Sequence, residues 1–417
     1  MNISSCLIVK NEADNIVRSL ESIKKIADEI IVVDTGSTDN TVEIAQSFGA
    51  KVFFYEWDNN FSNAKNFALD KATGDWIIFL DADEYFGDNA KKKLRFVLKH
   101  ISPNKNIDAL LCKLINIDVQ FGRIISENPA IRVFRGKTGI RYEGSIHEQP
   151  LKHGKTLNAA NITDVSLIIY HTGYSHAVLP EKIKRNLKIL EQDIKDNKIT
   201  NLTYYYMSQS HYSLKNYEET IKYARLSLAE PDMKNTIMAY LPYVLLVKGM
   251  LELKDRYSFE EIEKYIDEAI AHYPTHPEIW YILALAKKAQ NQIPEAIESY
   301  RKAIEYNKNY KLLLNNGFPG NLESVYYDLA VLSSSLGDHI NALEYYFEAL
   351  KINKRNYDTL EGLYKLISNQ QPAEIILFLN SIYNKENKSD LAFLNMAMAK
   401  LGNATLANYY YKQHEEL

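Results

Sequence analysis

Two carboxylates two residues apart, Asp81 and Asp83, follow the run Asp75-Trp-Ile-Ile-Phe-Leu80. At the C-terminal edge of a buried strand such a pair suits a hard divalent cation, Mg2+ or Mn2+, which takes oxygen ligands and commonly bridges one or two carboxylates to substrate phosphates. The chemistry this predicts is a metal-held diphosphate. An Asp pair after a strand also serves as a helix cap or a solvated turn, so its neighbours have to decide. Polar residues follow apolar runs in the same manner at Val9-Lys-Asn-Glu12, Asp34-Thr-Gly-Ser-Thr-Asp39 and Ile168-Ile-Tyr-His-Thr-Gly173.

The elements that must position these residues are legible up to about residue 175. Ile3 to Val9, Glu29 to Val33, Lys51 to Tyr55 and Trp76 to Leu80 are continuously apolar or nearly so, as strands buried on both faces of a parallel sheet are. Helical stretches, Asn15 to Ala27, Asn40 to Phe48 and Ser62 to Ala72, lie between them. The pattern predicts a βαβαβαβ doubly wound sheet, in which a ligand binds outside the carboxyl ends of the strands. All the polar groups named above fall there. From about residue 181 the period becomes helical. Around Trp280 stand Leu283, Ala284, Ala296, Tyr300 and Ala303, and the same offsets recur from Tyr326 with Leu329, Ala330, Ala342, Tyr346 and Ala349. These are the small and bulky positions of a tetratricopeptide helix pair. An earlier copy runs through Ile262, Ile266, Ala269 and Pro274, a degenerate first copy from Tyr204 to Ala229, and a truncated last copy from Leu391 to Tyr411. Lys311 to Leu322 interrupts the period as an inserted loop. The predicted domains are therefore 1–180, α/β with a mostly parallel sheet, and 181–417, an all-α solenoid.

Composition narrows the function classes. With 49 Lys and Arg against 53 Asp and Glu the net charge is −4, so no basic excess argues for nucleic acid. The longest apolar runs fall far short of the roughly 18 residues of a membrane span, and the chain opens on a strand without a charged leader, so the expected location is the cytoplasm. Cys6 and Cys112, each inside a predicted strand, read as buried thiols rather than as a disulfide or zinc site.

Lys10-Asn-Glu12, Val33-Asp-Thr-Gly-Ser-Thr-Asp39, Ala72-Thr-Gly-Asp-Trp76 and Leu80-Asp-Ala-Asp-Glu84 together resemble family 2 glycosyltransferases of the GT-A fold. With the helical repeats, the architecture resembles the sublancin-type peptide S-glycosyltransferases, and also transferases of cell-surface polysaccharide or lipopolysaccharide core. The resemblance implies an inverting, metal-dependent hexosyltransferase with a nucleotide diphosphate sugar donor, expected to be UDP-linked, and a peptide or protein acceptor. It implies nucleotide-sugar contacts from Val9, Asn11, Glu12, Asp34, Ser37, Lys65, Asp81 and Ala82. It also implies a Mg2+ or Mn2+ ion on Asp83 and Asp81, with His171 as a further ligand. From the residues alone, Asn11 and Glu12 either meet a nucleoside or cap the following helix. Thr38 and Asp39 read as caps, and Lys65 either reaches phosphate or lies on a solvated face. Inversion requires a base opposite the leaving diphosphate. In Tyr142-Glu-Gly-Ser-Ile-His-Glu148, Glu148 is the first candidate and His147 the second; the bland alternative is a salt-bridged loop. The solenoid is expected to present a peptide-binding surface or to join two copies as a homodimer, and a non-catalytic repeat scaffold stands as the reading from another class.

Overall fold

The computed structural model describes residues 1–88, 90–119, 122–163, 167–173 and 179–417. Strands β1 (Ile3–Val9), β2 (Glu29–Asp34), β3 (Lys51–Phe54) and β4 (Trp76–Phe79) alternate with helices α1 (Ala13–Ile23), α2 (Thr41–Ser47) and α3 (Phe61–Lys71), as the sequence predicts. They pair in parallel in the order β3-β2-β1-β4. Both faces of this sheet are covered, which is why its strands read as continuous apolar runs. Ile3, Leu7, Val32, Trp76 and Ile78 face one core, and Cys6, Ile31, Val33, Ile77 and Phe79 face the other. Cys6 and Cys112 are free and buried, as expected.

Beyond β4 the sheet becomes mixed. After β5 (Glu84–Phe86) and α4 (Ala90–Ile101) come two long strands, β6 (Ala109–Asp118) and β7 (Arg123–Arg135). The chain continues through β8 (Ile140–Glu143), β9 (Gln149–Lys152), β10 (Lys155–Thr156), β11 (Ala159–Asn161) and β12 (Ile168–His171). β7 lies antiparallel between β4 and β6, and β12 runs parallel to β6 and antiparallel to β5, while β8, β9 and β10 form a separate antiparallel sheet. Arg135 locks the β4–β7 seam. Its guanidinium stacks over Trp76 and donates to the carbonyls of Ile101, Ser102, Asn104 and Ile107.

From α5 (Leu179–Lys195) onward the chain is helical: α6 (Thr203–Ser213), α7 (Tyr217–Ala229), α8 (Leu241–Glu252), α9 (Phe259–His272), α10 (Pro277–Ala289), α11 (Ile293–Lys308), α12 (Leu322–Ser335), α13 (His339–Ile352), α14 (Tyr357–Ile367), α15 (Pro372–Leu379), α16 (Lys388–Lys400) and α17 (Ala404–Glu416). Among the described residues no helix is long and apolar enough to cross a membrane. The chain divides into two compact units, Met1–Ile282 with Tyr310–Gly317, and Leu283–Asn309 with Phe318–Leu417. The first unit thus continues well past residue 180, and the insert recognised at 311–322 in the sequence contributes to it. Asn316 exchanges two backbone hydrogen bonds with Glu127 of β7. Its neighbours are tied to the helices: the Asn315 carbonyl meets His276 Nε2, and the Gly317 amide donates to the buried Glu278 carboxylate. In the second unit the small residues Ala296, Ala303, Ala330, Ala342 and Ala349 are fully buried, as close helix approach requires.

The start of β2 is held by one carboxylate. Glu29 accepts from Ser4 Oγ, Lys51 Nζ and both the amide and hydroxyl of Thr73. Burial alone would raise its pKa, but these donors outweigh it and hold the carboxyl down to about 2. A depressed folded pKa means stability that is present above the ordinary value near 4.5 and is lost as the pH falls towards 2. Glu29→Gln should therefore cost about 2 kcal/mol at pH 7. In urea titrations the gap between variant and wild type should close as the pH is lowered from 5 to 2; a gap independent of pH would contradict this role.

Candidate active site

Two loops meet on one ammonium group of α3. Lys65, in the second turn of α3, is only 5% exposed, and its Nζ lies 3.1 Å from Asp81 Oδ1 and 2.7 Å from Glu148 Oε1. The rings of Phe79 and Tyr142 each sit with their centroids 5.1 Å from it. Burial lowers the pKa of a lysine, but here the Asp81 and Glu148 carboxylates outweigh that and raise it, so the cation persists. Lys65 is thus not on a solvated face. The other oxygen of Asp81 lies 3.5 Å from Arg132, and Arg132 is held by two 2.7 Å hydrogen bonds to the buried Glu84. Burial opposes the Asp81 charge, yet Lys65 and Arg132 hold its carboxyl well below the usual range.

Asp83 has a different neighbour. Its Oδ2 is 3.3 Å from His171 Nε2, at the end of β12, and His171 Nδ1 lies 2.8 Å from Asn116 Oδ1 on β6. An amide oxygen only accepts, so Nδ1 carries the proton and Nε2 is turned to Asp83. Burial disfavours the imidazolium, but Asp83 outweighs it and raises the His171 pKa. A Cβ on Gly173 would collide with the Asp83 carboxylate and His171, so a glycine keeps the space in front of this pair open. Asp81 does not join them: among the described residues no three carboxylate, imidazole or thiolate side chains are arranged to hold a metal ion. Two protein donors still fit Mg2+ or Mn2+, which bind through one or two protein groups and complete their shells with phosphate and water.

The loops after β1 and β2 are laced to each other. Asn11, in the left-handed region at φ 55, accepts from Thr38 through its amide oxygen, and its own amide donates to Ser37 Oγ. Asp39 accepts from the amides of Thr41 and Ala13, the capping role expected of it. Glu12 stands at the N-cap of α1, but its side chain caps no amide; it accepts from the Asn15 side chain, and burial raises its pKa. Asp34 is buried and spends one oxygen on the amides of Gly36 and Ser37, which shapes the tight turn, while the Val9 carbonyl is taken by Thr35. Ala82 is buried in the sheet core.

Residues 4–111 match the model of glycosyl transferase family 2, and residues 277–310 and 323–356 match the tetratricopeptide repeat, which leaves the insert between two repeats. The N-terminal part of the chain thus matches a family 2 glycosyltransferase model, and its helical part matches the tetratricopeptide repeat. It is 27% identical to the SPbeta prophage-derived glycosyltransferase SunS of Bacillus subtilis over 66% of this chain and 64% of that relative. A TPR repeat-containing protein of Synechococcus elongatus is 39% identical over 35% of this chain and 34% of its own length, and an uncharacterized glycosyltransferase of Rickettsia bellii 43% over 28% and 37%. The chain therefore spans less than two thirds of the length of each of these relatives.

The loop 144–148 is bolted from several sides. Ser62 Oγ donates to the Gly144 carbonyl, the Phe61 amide to the Ser145 carbonyl, and Ser145 Oγ to Asp193 of α5. Glu148 is 10% exposed. His147 stacks on Tyr206 of α6, and burial pushes its imidazole down to about 3, so the ring is neutral. Sequence reasoning named most of these residues but missed Arg132 with Glu84 as the second cation pair at Asp81, Asn116 as the partner of His171, and Tyr206. For Glu84 a signal existed, since it ends Asp81-Ala-Asp-Glu84; for Asn116 and Tyr206 there was none. Removing Lys65 takes its cation from Glu148 and leaves Asp81 with Arg132 alone, so Lys65→Met should cost about 3 kcal/mol. Lys65→Met with Glu148→Gln should cost less than the sum of the two single changes. Additive unfolding free energies in urea would mean that Lys65 and Glu148 are uncoupled.

Proposed function

We propose that this chain is an inverting glycosyltransferase that moves a hexose from a nucleotide diphosphate sugar, UDP-linked, to a side-chain nucleophile of a peptide or protein. The observation that carries the reading is the shared ammonium group: Glu148, on one loop, and Asp81, in the carboxylate pair after β4, both contact the buried Lys65. A base on the acceptor side and the diphosphate end of the donor are thereby brought into one site. The family 2 match and the similarity to SunS support a transferase. The resemblance to sublancin-type enzymes and the concave surface that tetratricopeptide arrays present favour a polypeptide acceptor.

In this reading the Glu148 carboxylate takes the proton of the attacking thiol or hydroxyl, the nucleophile forms its bond to the anomeric carbon, and the bond from that carbon to the diphosphate oxygen breaks on the opposite face. Arg132, fixed by Glu84, and Lys65 supply positive charge beside Asp81 without having to reorganise during the reaction. The laced loops around Asn11, Ser37 and Asp34 form the nucleoside side. Asp83 and His171 would hold Mg2+ or Mn2+, which when bound offsets the charge developing on the leaving diphosphate.

Mass spectrometry of candidate peptides incubated with a panel of nucleotide sugars tests the reading, and a hexose found on a lipid or glycan fraction while peptides stay unmodified would replace the acceptor. Glu148→Gln should keep donor affinity in calorimetry while transfer falls about 10²–10⁴-fold; loss of donor affinity in step with the rate would make Glu148 a binding residue. Asp83→Ala should abolish both transfer and Mn2+ binding measured by electron paramagnetic resonance, with the melting temperature nearly unchanged. Retention of Mn2+ by this variant would remove Asp83 from the metal site.

A further inference from the structure

Glu148 follows a backbone turn of a kind that side chains with a Cβ rarely adopt. The residue before it, His147, has φ 55, in the left-handed region that a side chain with a Cβ enters at a cost. Such a conformation persists when its surroundings over-determine it, and it commonly does so beside a functional group. The Gly144 and Ser145 carbonyls are tied to α3, and the Ser145 hydroxyl to α5. These bonds fix the entry of the loop, and the pairing of Gln149 with Glu143 between β9 and β8 fixes its exit; the turn at His147 lies between the two.

The support at that point comes from α6. The rings of His147 and Tyr206 lie 3.4 Å apart between centroids and 5° from parallel. Tyr206 is itself immobilised: it is 9% exposed, its hydroxyl reaches Met238 Sδ, and its ring packs against Tyr205. A side chain stacked on a fixed ring cannot rotate with its backbone, so the turn at His147 is set from outside the loop.

We propose that Tyr206 is a positioning residue for the base-bearing loop: its ring holds His147 in the left-handed turn and so directs Glu148 onto Lys65. The proposal rests on the reading of Glu148 as the base for its catalytic meaning, but its structural content stands without any substrate. A helix outside the stretch matched by the transferase family model thereby acts in setting the acceptor side of the site.

The test is the coupling between Lys65 and Glu148, measured in urea on the full chain by a double-mutant cycle of Lys65→Met and Glu148→Gln. In the wild type this coupling should amount to about tenfold in the folding equilibrium. In a Tyr206→Leu background, which keeps an apolar side chain but removes the flat ring, it should fall to about twofold or less, and in a Tyr206→Phe background it should return to the wild-type value. UDP affinity in calorimetry should change less than about twofold in both single variants, because the nucleoside loops are untouched. An undiminished coupling in Tyr206→Leu overturns the proposal, and so does a Tyr206→Phe protein as impaired as Tyr206→Leu. If Glu148→Gln transfers sugar at the wild-type rate while the coupling still depends on the Tyr206 ring, the assignment of the base fails and the positioning role survives.

Discussion

The site depends on one buried ammonium group. Isolated in a protein interior, a lysine loses its charge rather than its hydration; Lys65 keeps it because two carboxylates and two aromatic faces surround it. That requirement couples distant parts of the chain. The Asp81 loop and the 144–148 loop both depend on α3, since without Lys65 the Glu148 carboxylate loses its cation and Asp81 keeps only Arg132. Arg132 and Glu84 extend the same logic by one pair, and the result is a row of alternating charge, Glu148, Lys65, Asp81, Arg132, Glu84. The row sums to −1, and Asp83 beside it adds another negative charge. In the proposed reaction a divalent ion at Asp83 and His171 would offset this negative charge beside the diphosphate.

Legibility in the sequence followed the range of the interactions. β1 to β4 and the helices between them were readable because their runs are local and their burial on both faces removes polar alternation. The tetratricopeptide pairs were readable because Ala284, Ala296, Tyr300 and Ala303 repeat at fixed offsets, and these positions are buried. The carboxylate pair, the loop residues and Glu148 were found by type and order. Their partners were not, because a contact such as Lys65 with Glu148 or His171 with Asn116 leaves no period in the chain. Arg135 leaves no period either: its guanidinium is consumed by four backbone carbonyls and the Trp76 ring, partners that lie far apart in the chain.

The insert between the repeats shows how an interruption of pattern becomes a structural requirement. Its Asn316 pairs with Glu127 on β7, and burial of the neighbouring Glu278 carboxylate is tolerable only because Tyr240 and the Gly317 amide donate to it. Without the insert, Glu278 would lose the Gly317 donor and Glu127 its backbone partner.

Taken with Ser145 on Asp193 and His147 on Tyr206, this attachment gives the first compact unit three links between its sheet and its helical part. Two of them grip the loop that carries Glu148, and the third grips β7, whose far end supplies Arg132. Sequence pattern changes near residue 180 because the local period changes there, from strands alternating with helices to helices alone. Packing does not change there: α5 and α6 hold the 144–148 loop, and the insert pairs with β7. The helices after residue 180 are therefore part of what gives Glu148 its position, and a transferase domain cut by its family motifs alone would lack the ring against which His147 is folded.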